Sequence, residues 1–520
     1  MSQILHIFKK DVRHLWPEIL VSLALTVAFV RLSFGGESNF SVSGSPYLPI
    51  VASLVTALVP VGWWVLAARL IFDESLVGEG QFWITRPYQW KKLLAAKALF
   101  VLAFLYLPIF VAQVVLLAAA GFHPFAYLPG LLYNLILITG VLILPIVAIA
   151  TVTSNFSRLV VTVLGAVVYL ALILWMLAFV SPPDQFGFEN PYAGKLAFAL
   201  YFFTFVVVIV LQYATRHTWR SRWLLLGLPF LVIACSAAWP IQRVVHHLYP
   251  PLAASEQPPV QLTFDPQPDR QSNVNPSHER SRVDLYLPVI VSGVSSGFLI
   301  RNQAVQVSIE APTGLRWRSK WQNVSSYYRP DTTQSFIDVP IDERFLGSVK
   351  ATPVTVTLNF ALVELRAGAT VTNQAGDQSF STAGGMCSVS DAFGTYPECR
   401  FALAEPGLVS VSTYWTEGPC TQASSSSSSG TSGNVWIGSI DPSPAEIGLD
   451  PVKVKPLLFS NQPVDMRRSS FICPGTPIIA TPYSVVRRLQ TTLTIPDLDL
   501  TKYTIDRLDR PGGGFRVRRR

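Results

Sequence analysis

The chain has 520 residues, of which 50% are hydrophobic and 14% are charged, and its mean hydropathy is +0.38. A water-soluble protein of this length rarely reaches these values, so the composition excludes a purely soluble chain and predicts a membrane protein with more than one domain. The formal net charge is +8 without a basic stripe interleaved with aromatic residues, so we expect contact with membrane lipid and not with nucleic acid.

An amphipathic helix is predicted at the N-terminus, over residues 1–16. Its apolar residues recur at helical spacing, and they are Ile4, Leu5, Phe8, Val12, Leu15 and Trp16. Lys9, Lys10 and Arg13 fall on the other side, which is the pattern of a short helix lying in the membrane interface. The alternative is a cytosolic first turn that leads directly into the first membrane span.

About seven transmembrane helices are predicted between residues 17 and 245, since a span needs about 20 mostly apolar residues. They cover about 17–34, 48–71, 94–120, 127–152, 159–180, 196–213 and 223–241. The first follows basic residues, as the core of a signal peptide would, but Arg31 stands where a small-residue cleavage site is needed. We therefore expect an uncleaved anchor.

The distribution of Lys and Arg among the short loops predicts the orientation of the spans. The N-terminus is basic, and so are the loops that contain Arg86, Arg158 and Arg216, whereas 35–47 and 121–126 contain no Lys or Arg. The positive-inside rule then places the N-terminus in the cytoplasm. Seven crossings place the rest of the chain on the extracytoplasmic side.

The C-terminal half is richer in Pro, Ser, Thr, Asp and Arg. A linker over 246–280 is followed by β-branched runs, bounded by Gly, Pro, Asn or Asp, that extend over 281–510. Short strands with frequent turns predict an all-β, sandwich-like extracytoplasmic domain, built as one unit or as two. A basic disordered tail is predicted over 511–520.

Four of the five cysteines fall in the predicted β domain, and they are Cys387, Cys399, Cys420 and Cys473. Confinement of these residues to one domain favours two disulfide bonds and an oxidising compartment, in agreement with the predicted topology. Three pairings are possible, and four unpaired thiols are the alternative. Cys235 lies in an apolar run, where a thiol usually acts as a small hydrophobic residue.

The sequence contains no constellation typical of an enzyme, and we expect no cofactor and no metal in this chain. A hydrolase needs a nucleophile beside a base, and a metal site needs clustered ligands. His278 lies alone in the polar linker, and the adjacent His246 and His247 follow the last predicted span. A membrane enzyme that uses these histidines is the alternative. No GxxxxGK[ST] phosphate loop occurs, so any ATP hydrolysis must come from another polypeptide.

The loop between the second and third predicted spans carries the most informative motif, FDESLVGEGQFWITRPYQWKKLLAAKALF. An acid, a glycine, an apolar stretch, a proline and a lysine follow one another, and the loop resembles that of ABC-2-type transporter permeases. The resemblance covers about residues 1–215 and includes the basic N-terminal helix. It implies a candidate ATPase-coupling loop formed by Glu74, Gly80, Phe82, Trp83, Pro87 and Lys97. The alternative is an ordinary cytoplasmic loop with basic anchors.

The resemblance implies the permease subunit of an ATP-driven ABC-type export or envelope-remodelling complex in a bacterial plasma (inner) membrane. A separate cytosolic ATP-binding subunit would supply hydrolysis, and two permease chains would pair, as a homodimer or with a related chain. The family core has six spans, whereas a seventh leads here to an appended outer domain. This domain would receive substrate or engage an envelope partner. The alternative function is that of a membrane-anchored extracytoplasmic binding or sensor protein without transport activity.

Overall fold

The computed structural model of the chain forms two compact units. The residues that it describes are 2–36, 48–74, 89–180, 191–238, 241–252, 256–266, 283–349, 352–374, 380–382, 385–389, 397–403, 407–417, 431–439, 449–456, 470–471 and 475–505. The first unit comprises Met1–Val180, Pro191–Ala238 and Ala369–Pro482. The second unit comprises Ser181–Asn190, Trp239–Gly368 and Tyr483–Arg520. The first unit therefore contains strands as well as the long helices.

The α-helices follow the apolar runs of the sequence. They are α1 Ser2–His14, α2 Trp16–Gly36, α3 Leu48–Phe72, α4 Trp90–Val101, α5 Leu107–Ala119, α6 Leu128–Ile138, α7 Leu144–Val152, α8 Phe156–Val180, α9 Pro191–Thr215, α10 Thr218–Ala238, α11 Ile241–Leu248 and α12 Glu343–Val349. Helices α1 to α10 belong to the first unit. The amphipathic segment at the N-terminus thus forms a helix of its own before the first long apolar helix.

Six stretches of the described residues are long and apolar enough to cross a membrane. They are Trp16–Ser33, Ile50–Phe72, Trp90–Ala119, Pro124–Val152, Phe156–Met176 and Gly194–Thr215. The prediction of a helical membrane bundle is confirmed, and the chain is a multi-pass membrane protein. By length and composition, the described residues contain six such stretches and not the seven that were predicted.

The seventh predicted segment, 223–241, falls largely on α10. This helix begins with a polar turn that contains Arg220 and Arg222, and it includes Pro229. Both guanidinium groups lower the hydropathy of α10 below that of the other long helices, and residues 239–240 lie outside the described part. Composition alone therefore does not identify α10 as a membrane span.

Two of the spans contain a π-helical turn at mid-length. These turns are Leu102–Tyr106, between α4 and α5, and Thr139–Ile143, between α6 and α7. A proline follows each turn, at positions 108 and 145, and its missing N–H leaves a carbonyl one turn earlier without the usual helical donor. The two turns are joined by the hydroxyls of Tyr106 and Thr139, which lie 2.7 Å apart.

The strands begin after the last helix of the bundle. They are β1 Gln261–Phe264, β2 Val283–Ser292, β3 Phe298–Glu310, β4 Arg316–Arg318, β5 Gln322–Tyr328, β6 Gln334–Ile341, β7 Val354–Ala367, β8 Val371–Gln374, β9 Phe380–Thr382, β10 Gly385–Val389, β11 Pro397–Ala402, β12 Gly407–Glu417, β13 Thr431–Ser439, β14 Val452–Pro456, β15 Ser470–Phe471, β16 Pro477–Leu498 and β17 Thr504–Ile505. The prediction of a β-rich C-terminal half is confirmed.

The second unit is a sandwich of two antiparallel sheets. In one sheet β2 pairs with β6 and with β1 and β17, and in the other β3 lies beside β7, which pairs with residues 484–498 of β16. Alternate residues of each strand point inward, as on β2, where Leu285, Leu287 and Val289 are fully buried. Both sheets contribute to one apolar core.

The strands of the first unit are antiparallel, and β9, β10, β11 and β14 form a four-stranded sheet. β10 lies between β9 and β11, β11 pairs with β14, and β12 pairs with β13 and β15. The Cα atoms of Cys387 and Cys399 are register partners across β10 and β11. The predicted disulfide bonds are not confirmed: the structure describes the backbone of Cys387 and Cys399 but not their side chains. Cys420 and Cys473 lie outside the described residues.

Candidate functional site

The structure describes two of the six residues predicted to form the coupling loop, and it brings those two together. Glu74 follows the last turn of α3, and Lys97 lies on α4. The Nζ atom of Lys97 is 3.3 Å from Oε2 of Glu74. Gly80, Phe82, Trp83 and Pro87 lie outside the described residues.

Lys97 belongs to the buried face of α4. Leu93, Ala96 and Phe100, at helical spacing around it, are each at most 3% exposed. The Lys97 side chain is 6% exposed, so its ammonium group is held away from water. A buried ammonium needs paired and hydrogen-bonded partners, which come here from two other elements.

Asp11 of α1 is the nearest of these partners. The Lys97 Nζ donates to Asp11 Oδ2 over 2.9 Å, and the Asp11 side chain is 0% exposed. Lys10, the preceding residue of α1, donates to Glu74 Oε1 over 3.2 Å from the solvent side. We call Lys10, Asp11, Glu74 and Lys97 the ionic cluster. It joins α1 to the two helix ends that flank the loop 75–88.

The ionic cluster is balanced in charge, with two cations and two carboxylates. Removal of one partner from a buried pair costs about 3–5 kcal/mol, because the other charge then stays buried without compensation. Oδ1 of Asp11 is buried without a hydrogen-bond partner. The Asp11 carboxylate therefore depends on Lys97 for its hydrogen bond, and this dependence keeps the two side chains in contact.

Burial raises the pKa of the Asp11 carboxyl above its ordinary value of 3.8. The neighbouring Lys97 ammonium, through its charge and its hydrogen bond, acts in the opposite direction, whereas the Glu74 carboxylate adds to the increase. Desolvation is the largest of these effects, since a carboxylate loses more hydration than one ammonium restores.

Two further contacts between basic and acidic side chains surround the cluster and are more accessible to water. His14 Nε2 lies 3.3 Å from Asp73 Oδ1, and Arg69 Nε lies 3.4 Å from Glu18 Oε1. The His14 and Arg69 side chains are 59% and 50% exposed. Such exposed pairs contribute at most about 1 kcal/mol each, so they support the position of α1 without determining it.

Aromatic packing shields the cluster on the side of the bundle. Phe8 stacks on Phe104 with ring centroids 6.0 Å apart, and Phe100 lies 4.9 Å from Phe104. Phe8 precedes Asp11 by three positions and Phe100 follows Lys97 by three, so each aromatic ring lies on the same helix face as its charged neighbour. The interface of α1 and α4 is therefore apolar around one charged contact.

Sequence reasoning missed Asp11. The predicted apolar face of α1 included Leu5 and Trp16, which are 56% and 58% exposed, and it left out Ile7, which is 2% exposed. The available signal was the spacing of Ile7, Asp11 and Leu15, which places an acid between two apolar residues on one helix face. A lone acid in an apolar stripe predicts a buried cationic partner.

The opposite end of the bundle lies where α5 ends and α6 begins. Strands β11 and β14 of the same unit pack there, since Ala402 and Val452 share a buried cluster with Leu117 and Leu131. Gln113 of α5, which is fully buried, donates to the backbone carbonyl of Leu449 over 3.2 Å. The contacts at this end therefore include an apolar cluster and a buried amide donor.

The ionic cluster connects α1 to α3 and α4 through buried charged contacts. It consists of two ammonium and two carboxylate groups, and among the described residues no group of three or more His, Cys, Asp or Glu side chains is placed to hold a metal ion. What the arrangement does physically is to fix α1 against the ends of α3 and α4.

No protein-family model and no curated protein matches the sequence. Among solved structures, the chain is similar to the C-terminal globular domain of an oligosaccharyltransferase from Pyrococcus abyssi, with 10% sequence identity and a TM-score of 0.11. The match covers 41% of this chain and 45% of that chain. Similarity at this level indicates neither a shared fold nor a shared activity.

Proposed function

We propose that this chain is the permease subunit of an ATP-driven, ABC-type export or envelope-remodelling complex whose ATPase is a separate cytosolic subunit. The observation that carries the proposal is the ionic cluster. It connects α1 to Glu74 and Lys97, on either side of the loop 75–88, and these two residues are the described members of the motif that resembles ABC-2-type permeases.

A subunit that receives force from an ATPase needs a stiff connection between the contact surface and its membrane spans. A buried, hydrogen-bonded ion pair provides one, because displacement of either partner leaves a charge unpaired in an apolar surrounding. Movement of the loop 75–88 would therefore shift α1, α3 and α4 together. The π-helical turns at Leu102–Tyr106 and Thr139–Ile143 supply places where the spans can bend.

The orientation that fits this role places the α1 end on the cytoplasmic side of a bacterial plasma membrane. Arg158 and Arg222 lie at that end together with the basic residues of α1, as the positive-inside rule requires. The packing of β11 and β14 at the opposite end supports an odd number of crossings, with α10 as the seventh. The β strands would then be extracytoplasmic and available to an envelope partner.

A co-purification experiment tests the proposal. The tagged chain is extracted in mild detergent, beside a variant with Phe82→Ala and Trp83→Ala, and the bound proteins are identified by mass spectrometry. Phe125→Ala is the matched control, since Phe125 is 90% exposed in the link between α5 and α6, at the other end of the bundle. We expect a P-loop ATPase with the native chain and with the control, and its loss from the double variant.

Two outcomes would contradict the proposal. If purified complexes never contain an ATPase, the proposed energy source is excluded. If the double variant retains the ATPase, the proposed role of residues 82 and 83 in coupling is excluded. Recovery of envelope proteins alone, unchanged by the substitutions, would favour the membrane-anchored binding or sensor protein. The second copy of the permease is checked on the same material by the mass of the detergent-solubilised complex.

A further inference from the structure

A cavity of about 390 Å³ opens at the α1 end of the bundle, between the end of α7 and the beginnings of α8 and α10. Its lining includes Thr153, Ser154, Ser157, Arg158, Val161 and Arg222. Two guanidinium groups from different helices thus meet in one concave site that also exposes hydroxyl groups.

Both guanidinium groups are anchored by neutral oxygen atoms. Arg158 Nη1 donates to Ser154 Oγ over 2.9 Å, and Arg222 Nη2 donates to the carbonyl of Val152 over 3.1 Å. Each of these contacts uses one N–H of a group that has five, so further donors stay available on both side chains. These hydrogen bonds therefore orient the two guanidinium groups and leave further N–H donors for a ligand.

The helices that line the cavity contribute no carboxylate of their own. The sequence contains no Asp or Glu between Glu79 and Asp184, and none between Glu189 and Glu256. Arg158 and Arg222 form no ion pair with any of the residues that the structure describes. Two guanidinium groups that line one cavity, and that pair with no described carboxylate, are suited to phosphate, which accepts bidentate hydrogen bonds from arginine.

The cavity continues onto an apolar helix face. Val161, which lines it, is 69% exposed, and the exposed residues Leu164, Val168 and Leu172 follow at helical spacing along α8. Only 6% of this span is buried within the chain, compared with 50% of the span Pro124–Val152. A small free anion would make no contact with this apolar helix face. The acyl chains of a lipid are apolar and can lie along α8, so they would cover it.

We propose that this cavity binds the phosphate headgroup of an anionic phospholipid, with the acyl chains along the exposed face of α8. Arg158 and Arg222 hold the phosphate, and the hydroxyls of Ser154 and Ser157 line the rim. The α-helical backbone is not the main donor, because the amide of Arg158 is already bonded to the Asn155 side chain over 2.9 Å.

Native mass spectrometry of the full chain in neutral detergent tests this assignment. Phosphatidylglycerol, phosphatidylcholine and inorganic phosphate are titrated separately. We expect tighter binding of phosphatidylglycerol than of phosphatidylcholine, and a loss of roughly fivefold in its affinity for each arginine removed by Arg158→Gln or Arg222→Gln. Arg220→Gln is the matched control, since it removes the same charge from the same helix but outside the cavity, and it should leave the affinity unchanged.

Three outcomes would overturn the assignment. Equal affinities for the two lipids exclude an anionic headgroup site, and full binding by the Arg158→Gln, Arg222→Gln double variant excludes these arginines. Displacement of phosphatidylglycerol by inorganic phosphate at similar concentration identifies a free-anion site instead. If the glutamine double variant does not fold, Arg158→Lys with Arg222→Lys is used instead, since it keeps the charge. The comparison of the two lipids on the native chain tests the headgroup assignment without any variant.

Discussion

The two ends of the helix bundle in the first unit are held together by different chemistry. At the α1 end, Asp11, Glu74 and Lys97 meet in a buried ionic cluster with contacts of 2.9 and 3.3 Å. At the opposite end, strands β11 and β14 pack through apolar residues such as Ala402 and Val452. One end is thus defined by charge pairing and the other by apolar burial.

This difference determines how each end responds to displacement. A buried ion pair has a steep cost, because a small separation leaves charges in an apolar surrounding. Apolar contacts are non-directional and scale with area, so surfaces can slide while they stay buried. The α1 end is therefore suited to transmit movement, and the opposite end is suited to adapt to it.

We expect the two ends of the bundle to lie on opposite sides of the membrane. Single cysteines are introduced as Lys9→Cys on α1 and Thr372→Cys on β8, in a chain whose native cysteines are serines. We expect a membrane-impermeant maleimide to label position 372 in intact cells and position 9 only after permeabilisation. Phe125→Cys, at the apolar end, should behave like position 372. Labelling of positions 9 and 372 under the same condition would exclude an odd number of crossings.

Removal of the central cation should have the largest effect on stability. Lys97→Met leaves the carboxylates of Asp11 and Glu74 without their shared partner, and we expect a loss of about 3–5 kcal/mol in the free energy of unfolding. The measurement is denaturant unfolding in detergent micelles. Lys91→Met, on the exposed side of α4, is the control and should change stability by less than about 1 kcal/mol. Similar losses for the two variants would show that the cluster contributes no special rigidity.

A disulfide bond between β10 and β11 would support the location of the apolar end in an oxidising compartment. Register partners in an antiparallel pair have Cα atoms about 4.5 or 5.5 Å apart, which lies within the range of disulfides. We expect non-reducing peptide mapping to link Cys387 to Cys399. Cys387→Ser should then cost about 3 kcal/mol of stability under oxidising conditions and nothing in the presence of a reductant. A peptide that joins Cys387 to Cys420 or Cys473 would contradict the register.

Truncation at the apolar end should have a smaller effect. Val452→Ala removes two buried methyl groups that pack near Leu131, and we expect a loss of about 2 kcal/mol. Val485→Ala, on the exposed side of a strand, is the matched control. Equal stabilities of the two variants in thermal unfolding would show that β14 does not pack on the helices in solution.

The smallest effect is the pH dependence of the ionic cluster. Because burial raises the pKa of Asp11 above 3.8, the folded state binds this proton more tightly than the unfolded state does. The contribution of Asp11 to stability is therefore greatest below pH 3.8 and decreases as the pH rises through the folded-state pKa. Asp11→Asn should remove this dependence, whereas Asp331→Asn, at an exposed carboxyl, should retain it. Identical stability–pH profiles for Asp11→Asn and the native chain would contradict the burial of an ionised Asp11.

Much of the architecture could be predicted from local sequence. Long apolar runs predicted the spans, and β-branched runs between turn residues predicted the strands, because both signals repeat within one element. The count differed at α10, where Arg220 and Arg222 lower the hydropathy of a helix that is otherwise apolar. Glu74 and Lys97 entered as candidates through a family resemblance, and their contact did not follow from their positions in the sequence.

The residues that complete the site come from distant parts of the chain. Asp11 is 86 positions from Lys97, and Leu449 is 336 positions from Gln113. The spacing of Ile7, Asp11 and Leu15 indicates that Asp11 is buried, but no local pattern identifies the partner in either contact, because each contact depends on how separate elements pack.

The sequence by itself determined the membrane class, the helical and β-rich halves and the basic character of the α1 end, since hydropathy and charge act residue by residue. The tertiary structure decided which charges are buried together and which strands pack on the helices. It also brought Arg158 and Arg222 into one cavity, since that depends on the three-dimensional meeting of elements far apart in the chain.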